Sequence, residues 1–303
     1  MHRRAFLASL SGMAALLLSG CERRERHVTV GSKNFTEQLV LGELLAQLLE
    51  RRLKVPVERR FYLAGTYICQ QAILAGRIDL YVEYTGTALA AILKQPVIPD
   101  PQAVFEIVRE QYRRRFNLVV MPSLGFSNTF AIVMRGNDAR ASGITKLSEL
   151  AAYAPKMRMG VGYEFLERPD GYAGLAKTYG LRFTAPPVVM DLGLLYRALE
   201  AKQVDVVAGS NTDGMIAALG LTALEDDKHY FPPYDAVPIV RPETLQQFDG
   251  MQTALQQLAG RISTQDMRRM NYAVDGEKLE VSSVVSDFLN SLPRPSTPST
   301  LKP

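Results

Sequence analysis

The sequence predicts an α/β protein with two lobes, and three observations support this class. The chain has 303 residues, of which 47% are hydrophobic and 22% charged. This is an ordinary globular composition with ample core, and it excludes a chain that is disordered throughout. Short apolar segments alternate with segments of helical spacing, an order that favours mostly parallel sheets covered by helices. Two stretches, 71–80 and 197–206, also resemble each other.

The first half of the chain is predicted in the order β-α-β-α-β. Strands are expected over 27–30, 55–61 and 78–84, with helices over 37–52 and 66–74 between them. Ser32 and Thr36 are the candidate N-caps of the first helix. A further helix is predicted over 101–116, because Asp100 is a good N-cap residue and Pro101 suits the first helical position.

The second half repeats this alternation with shorter segments. Strands are predicted over 118–121, 130–134, 159–161, 188–192 and 204–208, and helices over 147–152, 172–179 and 194–201. In both similar stretches a helix end and a tight turn lead through an aspartate, Asp79 or Asp205, into a strand. Internal duplication and shared turn chemistry explain the likeness equally well. If the lobes are similar, the loops at their strand ends face a shared ligand site.

The N-terminus has the pattern of an export signal. Arg3 and Arg4 precede an apolar run, 5–18, that is too short to span a bilayer. The sequence Leu18-Ser-Gly-Cys21 resembles the bacterial lipobox, which implies a signal peptide over 1–20, cleavage before Cys21 and a lipid on its sulfur. A plain signal peptide with a chance cysteine is the alternative, and a twin-arginine signal is a weaker match. We therefore expect an exported protein that is lipid-anchored to the membrane and faces the periplasm or cell exterior.

Composition argues against several other functions. Two cysteines and three histidines leave little material for a metal site or a disulfide framework, so no metal or cofactor is expected. Neither G-x-S-x-G with a histidine partner nor H-E-x-x-H is present, so we do not expect an enzyme. Part of the positive charge belongs to the export signal, so the basic balance is a poor indication of nucleic-acid binding. Cys69 is expected to be buried, and the tail 291–303, rich in proline and serine, to be disordered.

Several motifs in register then resemble one family, the binding proteins of osmoprotectant ABC importers for glycine betaine, choline and carnitine. They are Gly31-Ser-Lys-Asn-Phe-Thr-Glu-Gln38, Asp79-Leu-Tyr-Val-Glu-Tyr-Thr-Gly-Thr87, Arg168-Pro-Asp-Gly171, and Leu224-Glu-Asp-Asp-Lys228 with Pro232-Pro-Tyr-Asp235. Their order and spacing match over about residues 27–290.

The resemblance implies a type II periplasmic-binding-protein fold, in which two α/β lobes are joined by two crossover strands with the ligand cleft between them. Lobe 1 is then predicted over 27–127 plus 238–290 and lobe 2 over 128–237, with crossings near 128–134 and 236–241. The family also implies hinge closure on a small zwitterionic solute and docking of the closed protein on an ABC permease with its ATPase.

The family pattern assigns ligand contacts residue by residue. A quaternary ammonium donates no hydrogen bonds and is held by aromatic faces, whereas a carboxylate needs fixed donors such as arginine. The carboxylate positions are Lys33, Thr87 and Arg168, and the aromatic cage positions are Tyr84, Phe130 and Tyr234. Phe130 replaces a tyrosine of the pattern, and Asn128 replaces an aspartate. Ser210 stands where the pattern expects another ring.

The missing ring at Ser210 leaves the ligand open. A bulkier betaine or a carnitine-like compound is expected to suit the site as well as glycine betaine does. A different carboxylate-bearing, amino-acid-like solute and a sensory ligand-binding lipoprotein remain as alternatives. Tyr163 and Tyr196 are candidates to fill the gap. Asp191 and Asp213 are expected to order loops by accepting backbone N–H groups.

Overall fold

The computed structural model describes residues 27–292, which form two five-stranded sheets covered by helices. The strands are β1 Val28–Gly31, β2 Val57–Arg60, β3 Leu80–Tyr84, β4 Val119–Val120, β5 Phe130–Arg135, β6 Met159–Val161, β7 Val188–Val189, β8 Val206–Ser210, β9 Leu221–Ala223 and β10 Ala236–Val240. One sheet has the order β2-β1-β3-β10-β4 and the other β7-β6-β8-β5-β9. The predicted two-lobed α/β class is therefore confirmed.

Fourteen α-helical segments within these residues connect and cover the sheets. They are α1 Thr36–Leu53, α2 Thr66–Leu74, α3 Thr85–Thr87, α4 Pro101–Phe116, α5 Gly136–Ser142, α6 Leu147–Leu150, α7 Tyr163–Glu167, α8 Tyr172–Tyr179, α9 Leu195–Glu200, α10 Met215–Ala218, α11 Pro242–Gln247, α12 Met251–Gln256, α13 Thr264–Asp275 and α14 Val281–Ser291. A π-helical turn, Ala88–Ile92, continues α3, and 3-10 turns occupy Ala154–Lys156 and Leu192–Leu194. Helices α12, α13 and α14 pack on α1.

Each sheet is parallel except for one strand that arrives from the other lobe. In the first sheet β1 runs parallel to β2 and β3, whereas β10 is antiparallel to β3 and β4. In the second sheet β6 is parallel to β7 and β8, whereas β5 is antiparallel to β8 and β9. A strand that enters from the opposite lobe reaches the sheet from the far end, which reverses its direction.

The two connections between the lobes, 121–129 and 224–235, run side by side. Ser127 and Asp235 form an antiparallel bridge, and the Asn128 N–H donates to the Tyr234 carbonyl at 2.9 Å. Strand β10 belongs to the first sheet from Ala236 onward, so the second change of sheet precedes the predicted crossing at 236–241. The first connection, 121–129, overlaps the start of the predicted crossing at 128–134, and β5 belongs to the second sheet from Phe130 onward. The division of the chain into lobes at 128 and 237 stays a prediction.

The two similar stretches occupy equivalent places in the two sheets. Asp79 Oδ2 accepts the Thr29 N–H at 2.8 Å, and Asp205 Oδ2 accepts the Arg158 N–H at 2.9 Å. Each aspartate also pairs with an arginine at the end of the crossover strand of its sheet, Asp79 with Arg241 at 3.6 Å and Asp205 with Arg135 at 3.0 Å. The likeness therefore extends from sequence to structure, and it leaves duplication and shared turn chemistry both open.

The N-caps of two helices were predicted, correctly for α4 and wrongly for α1. Asp100 accepts the backbone N–H groups of Gln102 and Ala103 at 2.9 and 3.3 Å, which confirms it as the N-cap of α4. Helix α1 has Phe35 at its N-cap and no side-chain cap. Thr36 instead donates to Asp275 at 2.7 Å, because α13 lies against the start of α1 and offers a carboxylate.

Two further expectations concern the chain termini and Cys69. Cys69 is fully buried, and burial raises the pKa of its thiol to about 12. The predicted signal peptide, Cys21 and the tail from 293 onward lie outside the described residues, while Ser291 still ends α14. Within 27–292, each helix is too short or too polar to cross a membrane.

Candidate functional site

A cavity of about 790 Å³ lies between the two lobes. All of the side chains predicted to contact ligand line it: Lys33, Tyr84, Thr87, Asn128, Phe130, Arg168, Ser210 and Tyr234. They come from strand ends and loops of both sheets and from the connections between the lobes. Their gathering in one cavity is a fact of the fold, and their contacts with ligand remain predictions.

Lys33 provides one fixed cation in the cavity wall. It lies two residues after the end of β1 and is only 3% exposed. Its ammonium donates to Glu83, a fully buried carboxylate on β3. The same ammonium lies 5.0 Å from the centre of the Tyr84 ring. Because an ammonium has three donors and Glu83 takes one, donors remain for a carboxylate in the cavity.

Arg168 provides the second cation, after α7. Its Nε and Nη2 donate to the two oxygens of Asp170 at 2.9 and 2.5 Å, and Tyr234 donates to the same carboxylate at 2.6 Å. Burial alone would lower the pKa of Arg168, but the adjacent Asp170 charge raises it above its usual value. The two-pronged pair fixes the guanidinium plane and leaves the Nη1 amine for a ligand.

Aromatic rings surround Arg168. Its guanidinium carbon lies 5.0 Å from the centre of the Phe130 ring and 5.8 Å from that of Tyr234. Phe130 contacts three rings, those of Phe165, Phe231 and Tyr234, at centroid distances of 4.9, 5.4 and 5.7 Å. Phe130 lacks the hydroxyl of the tyrosine that the family pattern has at this position, but its ring is packed within an aromatic cluster.

Tyr84 belongs to a second aromatic group beside a buried acid. It stacks on Phe35 at a centroid distance of 6.5 Å, and its hydroxyl donates to Glu37 at 2.6 Å. Asn128 Nδ2 donates to the same Glu37 oxygen at 2.6 Å, and Asn271 Nδ2 donates to the other at 3.1 Å. Burial raises the pKa of Glu37, against the lowering effect of these hydrogen bonds. The carboxyl of Glu37 thus lies behind the cavity wall, hydrogen-bonded to the lining residues Tyr84 and Asn128.

Ser210 continues this polar wall into the second lobe. Its hydroxyl donates to Asn128 Oδ1 and lies 3.0 Å from the Thr212 hydroxyl. Its backbone N–H donates to Asp213 at 2.9 Å, which confirms the expected loop-ordering role of that aspartate. Tyr196 donates to Asp213 at 2.5 Å, so a tyrosine reaches the neighbourhood of the missing ring.

The other aromatic candidate and the remaining motif residues have different surroundings. Tyr163 lines the cavity but is 66% exposed, so it lies at the mouth. Asp191 accepts the Gly193 N–H at 2.9 Å, as expected for a loop-ordering residue. In the motif 224–228, Asp226 accepts the N–H groups of Tyr230 and Phe231, both at 2.9 Å. This motif shapes a turn and contributes no side chain to the cavity lining.

Two contacts bridge the mouth of the cleft. The Tyr62 hydroxyl donates to Asp191 at 3.3 Å. Glu164 reaches across to the start of α2, where it accepts the Tyr67 N–H at 3.4 Å. A Cβ at Gly65 would lie 2.2 Å from the same Glu164 oxygen, so a larger residue there would displace the end of the Glu164 side chain. The lobes are thus held together at the mouth as well as at the hinge.

Four functional acids were not assigned to the site from the sequence: Glu37, Glu83, Asp170 and Asp213. Each either fixes a predicted ligand contact or lines the cavity. Three of them, Glu37, Glu83 and Asp170, lie inside the quoted motifs, four, one and two residues from a predicted contact, so their position was a usable signal. Asp213 was recognised only as a loop-ordering residue. Within 27–292, no group of three or more histidine, cysteine or acidic side chains is arranged to hold a metal ion.

A ligand-sized cavity between two α/β lobes, with fixed cations and aromatic faces in its wall, defines a two-lobed solute-binding protein. A family model described as the substrate binding domain of ABC-type glycine betaine transport systems matches residues 26–291. The chain belongs to this family, which consists of transporter binding proteins rather than enzymes.

Individual relatives agree with this assignment. The carnitine transport binding protein OpuCC of Listeria monocytogenes is 32% identical over 298 residues, covering 95% of this chain and 96% of that protein. The ergothioneine transport permease/ergothioneine binding protein EgtU of Helicobacter pylori is 33% identical and covers 95% of this chain. The chain spans about half, 51%, of that relative's length.

A solved structure shows the same fold at similar identity. The crystal structure of a glycine betaine/carnitine/choline ABC transporter protein is 32% identical, with a TM-score of 0.71. The match covers 87% of this chain and 97% of that chain. The predicted family and fold are therefore confirmed, and the chain belongs to the substrate-binding proteins of ABC transport systems.

Proposed function

We propose that the protein binds a small zwitterion with a quaternary ammonium and a carboxylate, and delivers it to an ABC permease driven by its ATPase. The observation that carries this proposal is the pair of buried cations, Lys33 and Arg168, each oriented by its own acid and placed beside aromatic faces. Such cations donate to a carboxylate, while the rings of Tyr84 and Tyr234 hold an ammonium.

The distribution of charge in the cavity supports a zwitterion over a simple cation. Lys33 and Arg168 supply donors in the cavity wall, and Asp213 supplies a carboxylate in the lining beside Ser210. The lining thus offers donors for a carboxylate, and aromatic faces and an acid for an ammonium. Choline has no carboxylate and would leave the donors of Lys33 and Arg168 unused, at a cost in affinity.

The relatives' names give the ligands to test first. These names mention carnitine, ergothioneine and glycine betaine. All three suit the two features that the site offers, fixed donors and aromatic faces.

Two parts of the proposal concern the membrane. Cys21 carries a lipid that anchors the protein outside the cytoplasm, which is where the substrate-binding proteins of ABC importers work. Ligand held by both lobes stabilises the closed form through contacts that the open form lacks. The closed protein is then the form that docks on the permease. Mass spectrometry of the membrane-extracted protein tests the lipid, since Cys21→Ser must abolish both the added mass and membrane retention.

Calorimetric titration of the purified protein tests the ligand class. The panel contains glycine betaine, proline betaine, carnitine and ergothioneine, with choline as the carboxylate-free control. We expect tight binding of at least one carboxylate-bearing compound, weak binding of choline, and loss of binding in Arg168→Ala. Choline binding as tight as that of the betaines would refute the carboxylate role of Arg168. If no betaine binds but amino acids do, the alternative of an amino-acid-like solute is favoured.

A further inference from the structure

We infer that Asp213 is a specificity-determining residue, which accepts a hydrogen bond from a heterocyclic N–H on the side chain of a bulky betaine. The inference rests on the proposed function, because it assumes that the carboxylate end of the ligand is held by Lys33 and Arg168. It adds a second polar contact at the other side of the cavity and names a narrower ligand class.

The hydrogen bonds of Asp213 leave one oxygen available. Tyr196 and the Ser210 N–H both donate to Oδ2, at 2.5 and 2.9 Å. Oδ1 accepts no hydrogen bond from any residue within 27–292, although Asp213 lines the cavity. A carboxylate oxygen in a ligand cavity without a donor is a site for a donor on the ligand.

Two small residues give access to this oxygen. Ser210 is a small residue in the cavity lining, and its N–H donates to Asp213. A Cβ at Gly209 would lie 2.2 Å from the Tyr196 hydroxyl, so glycine allows Tyr196 to reach Asp213. The carboxylate is thus both oriented by Tyr196 and reachable because residue 210 is small.

The size of the cavity leaves room for a ligand larger than glycine betaine. Its volume of about 790 Å³ lies in the upper part of the roughly 300–1,000 Å³ range typical of small-molecule sites. The lining also includes Tyr196, Met215 and Leu219. These side chains offer apolar contacts to a planar ring that donates to Asp213.

The chemistry of the surroundings favours an N–H donor over an acceptor. Glu37 and Asp275 both raise the pKa of Asp213 through their charge, after the larger effect of burial. An acidic neighbourhood repels a second anion and attracts a polarised N–H group. An imidazole or imidazole-thione ring supplies such a donor, whereas a phenyl ring supplies none.

A matched pair of ligands tests this inference. Histidine betaine and phenylalanine betaine share the trimethylammonium and carboxylate, and they differ in whether the ring carries an N–H. Calorimetry with the purified protein at about pH 8.5, where Asp213 with its pKa of about 7 is ionised, is expected to give about tenfold tighter binding of histidine betaine, as for one hydrogen bond to a charged acceptor. In Asp213→Asn, which leaves only a neutral amide oxygen as acceptor, this ratio is expected to fall several-fold. Asp249→Asn, an exposed charge outside the cavity, is the control and must keep the wild-type ratio.

A second variant keeps the test valid if Asp213→Asn fails to fold. Ser210→Tyr restores the ring of the family pattern, and it is expected to weaken histidine betaine at least tenfold more than glycine betaine. Equal affinities of the two ring betaines for the wild type, or a ratio that Asp213→Asn leaves unchanged, would overturn the inference while leaving the proposed function intact. Failure of all betaines, with Arg168→Ala behaving like wild type, would instead overturn the proposed function itself.

Discussion

Replacing Asp170 by asparagine would remove the charge that holds Arg168 in the cavity wall. Asp170 is fully buried and accepts three hydrogen bonds, two from Arg168 and one from Tyr234. Removing one partner of a buried ion pair typically costs about 3–5 kcal/mol, because the other charge is left uncompensated. We therefore expect Asp170→Asn to lower the free energy of unfolding by about that amount in the absence of ligand.

The measurement is urea unfolding followed by far-ultraviolet circular dichroism, since the chain has no tryptophan. The double variant Arg168→Met/Asp170→Leu is expected to be more stable than Asp170→Asn, because it buries no unpaired charge. Glu110→Gln breaks an exposed pair with Arg113 and should leave the transition unchanged. A loss below about 1 kcal/mol in Asp170→Asn, or a double variant less stable than the single, would refute this account of the pair.

Three further predictions follow from other parts of the cleft. Burial raises the pKa of Asp213 to about 7, so the folded protein holds this proton more tightly than the unfolded chain and ionisation opposes folding. The free energy of unfolding should fall by on the order of 1–4 kcal/mol as pH rises from about 4 to above 7. In unfolding measured against pH, Asp213→Asn should flatten this slope. Gly65→Ala and Glu164→Ala should each weaken ligand binding several-fold in calorimetry by removing the contact with Tyr67. If the losses of binding free energy of the two variants add in the double variant, the two residues do not act through a shared contact. Because Cys69 is buried, a thiol reagent should label it only in urea once the lipobox cysteine is replaced by serine, and rapid labelling of the folded protein would contradict its burial.

Local signals in the sequence were sufficient for those elements whose ends are marked by side chains. Helix α4 has the predicted bounds, because Asp100 caps it and Pro101 begins it. Helix α1 was given candidate caps that it does not use, because the partner of Thr36 is Asp275, which is distant in sequence. A cap that depends on a contact between distant segments leaves no local pattern.

Strand β10 illustrates why the position of a crossover is harder to predict. It contains Pro238, and a proline argues against a central strand because it lacks an N–H. Yet β10 lies between β3 and β4. The Pro238 carbonyl accepts the Met121 N–H at 2.9 Å. In an antiparallel ladder the nitrogen and the carbonyl of one residue point to the same neighbour, so the proline nitrogen also faces the two-residue strand β4 and not β3. Only the pairing, which the sequence does not display, makes the proline acceptable there.

The same distinction applies to the site. Five of the eight predicted contacts lie in the quoted motifs, because these motifs end strands and loops that meet at one cleft. Asn128, Phe130 and Ser210 lie outside the motifs. The acids behind those contacts depend on which side chains face each other across the fold. Glu37 is the clearest example, since its partners Tyr84, Asn128 and Asn271 come from three separate parts of the chain.

The polar wall also links ligand contact to lobe closure. Glu37 belongs to the first lobe and Ser210 to the second, and Asn128, on a connection between the lobes, bonds to both. Asn271 adds a second bridge, because its amide donates both to Glu37 and to the Thr212 carbonyl at 3.1 Å. Any ligand that shifts Ser210 or Asp213 therefore acts on hydrogen bonds that also hold the lobes together. Affinity and closure are consequently coupled through the same side chains, and a ring placed at 210 must alter both.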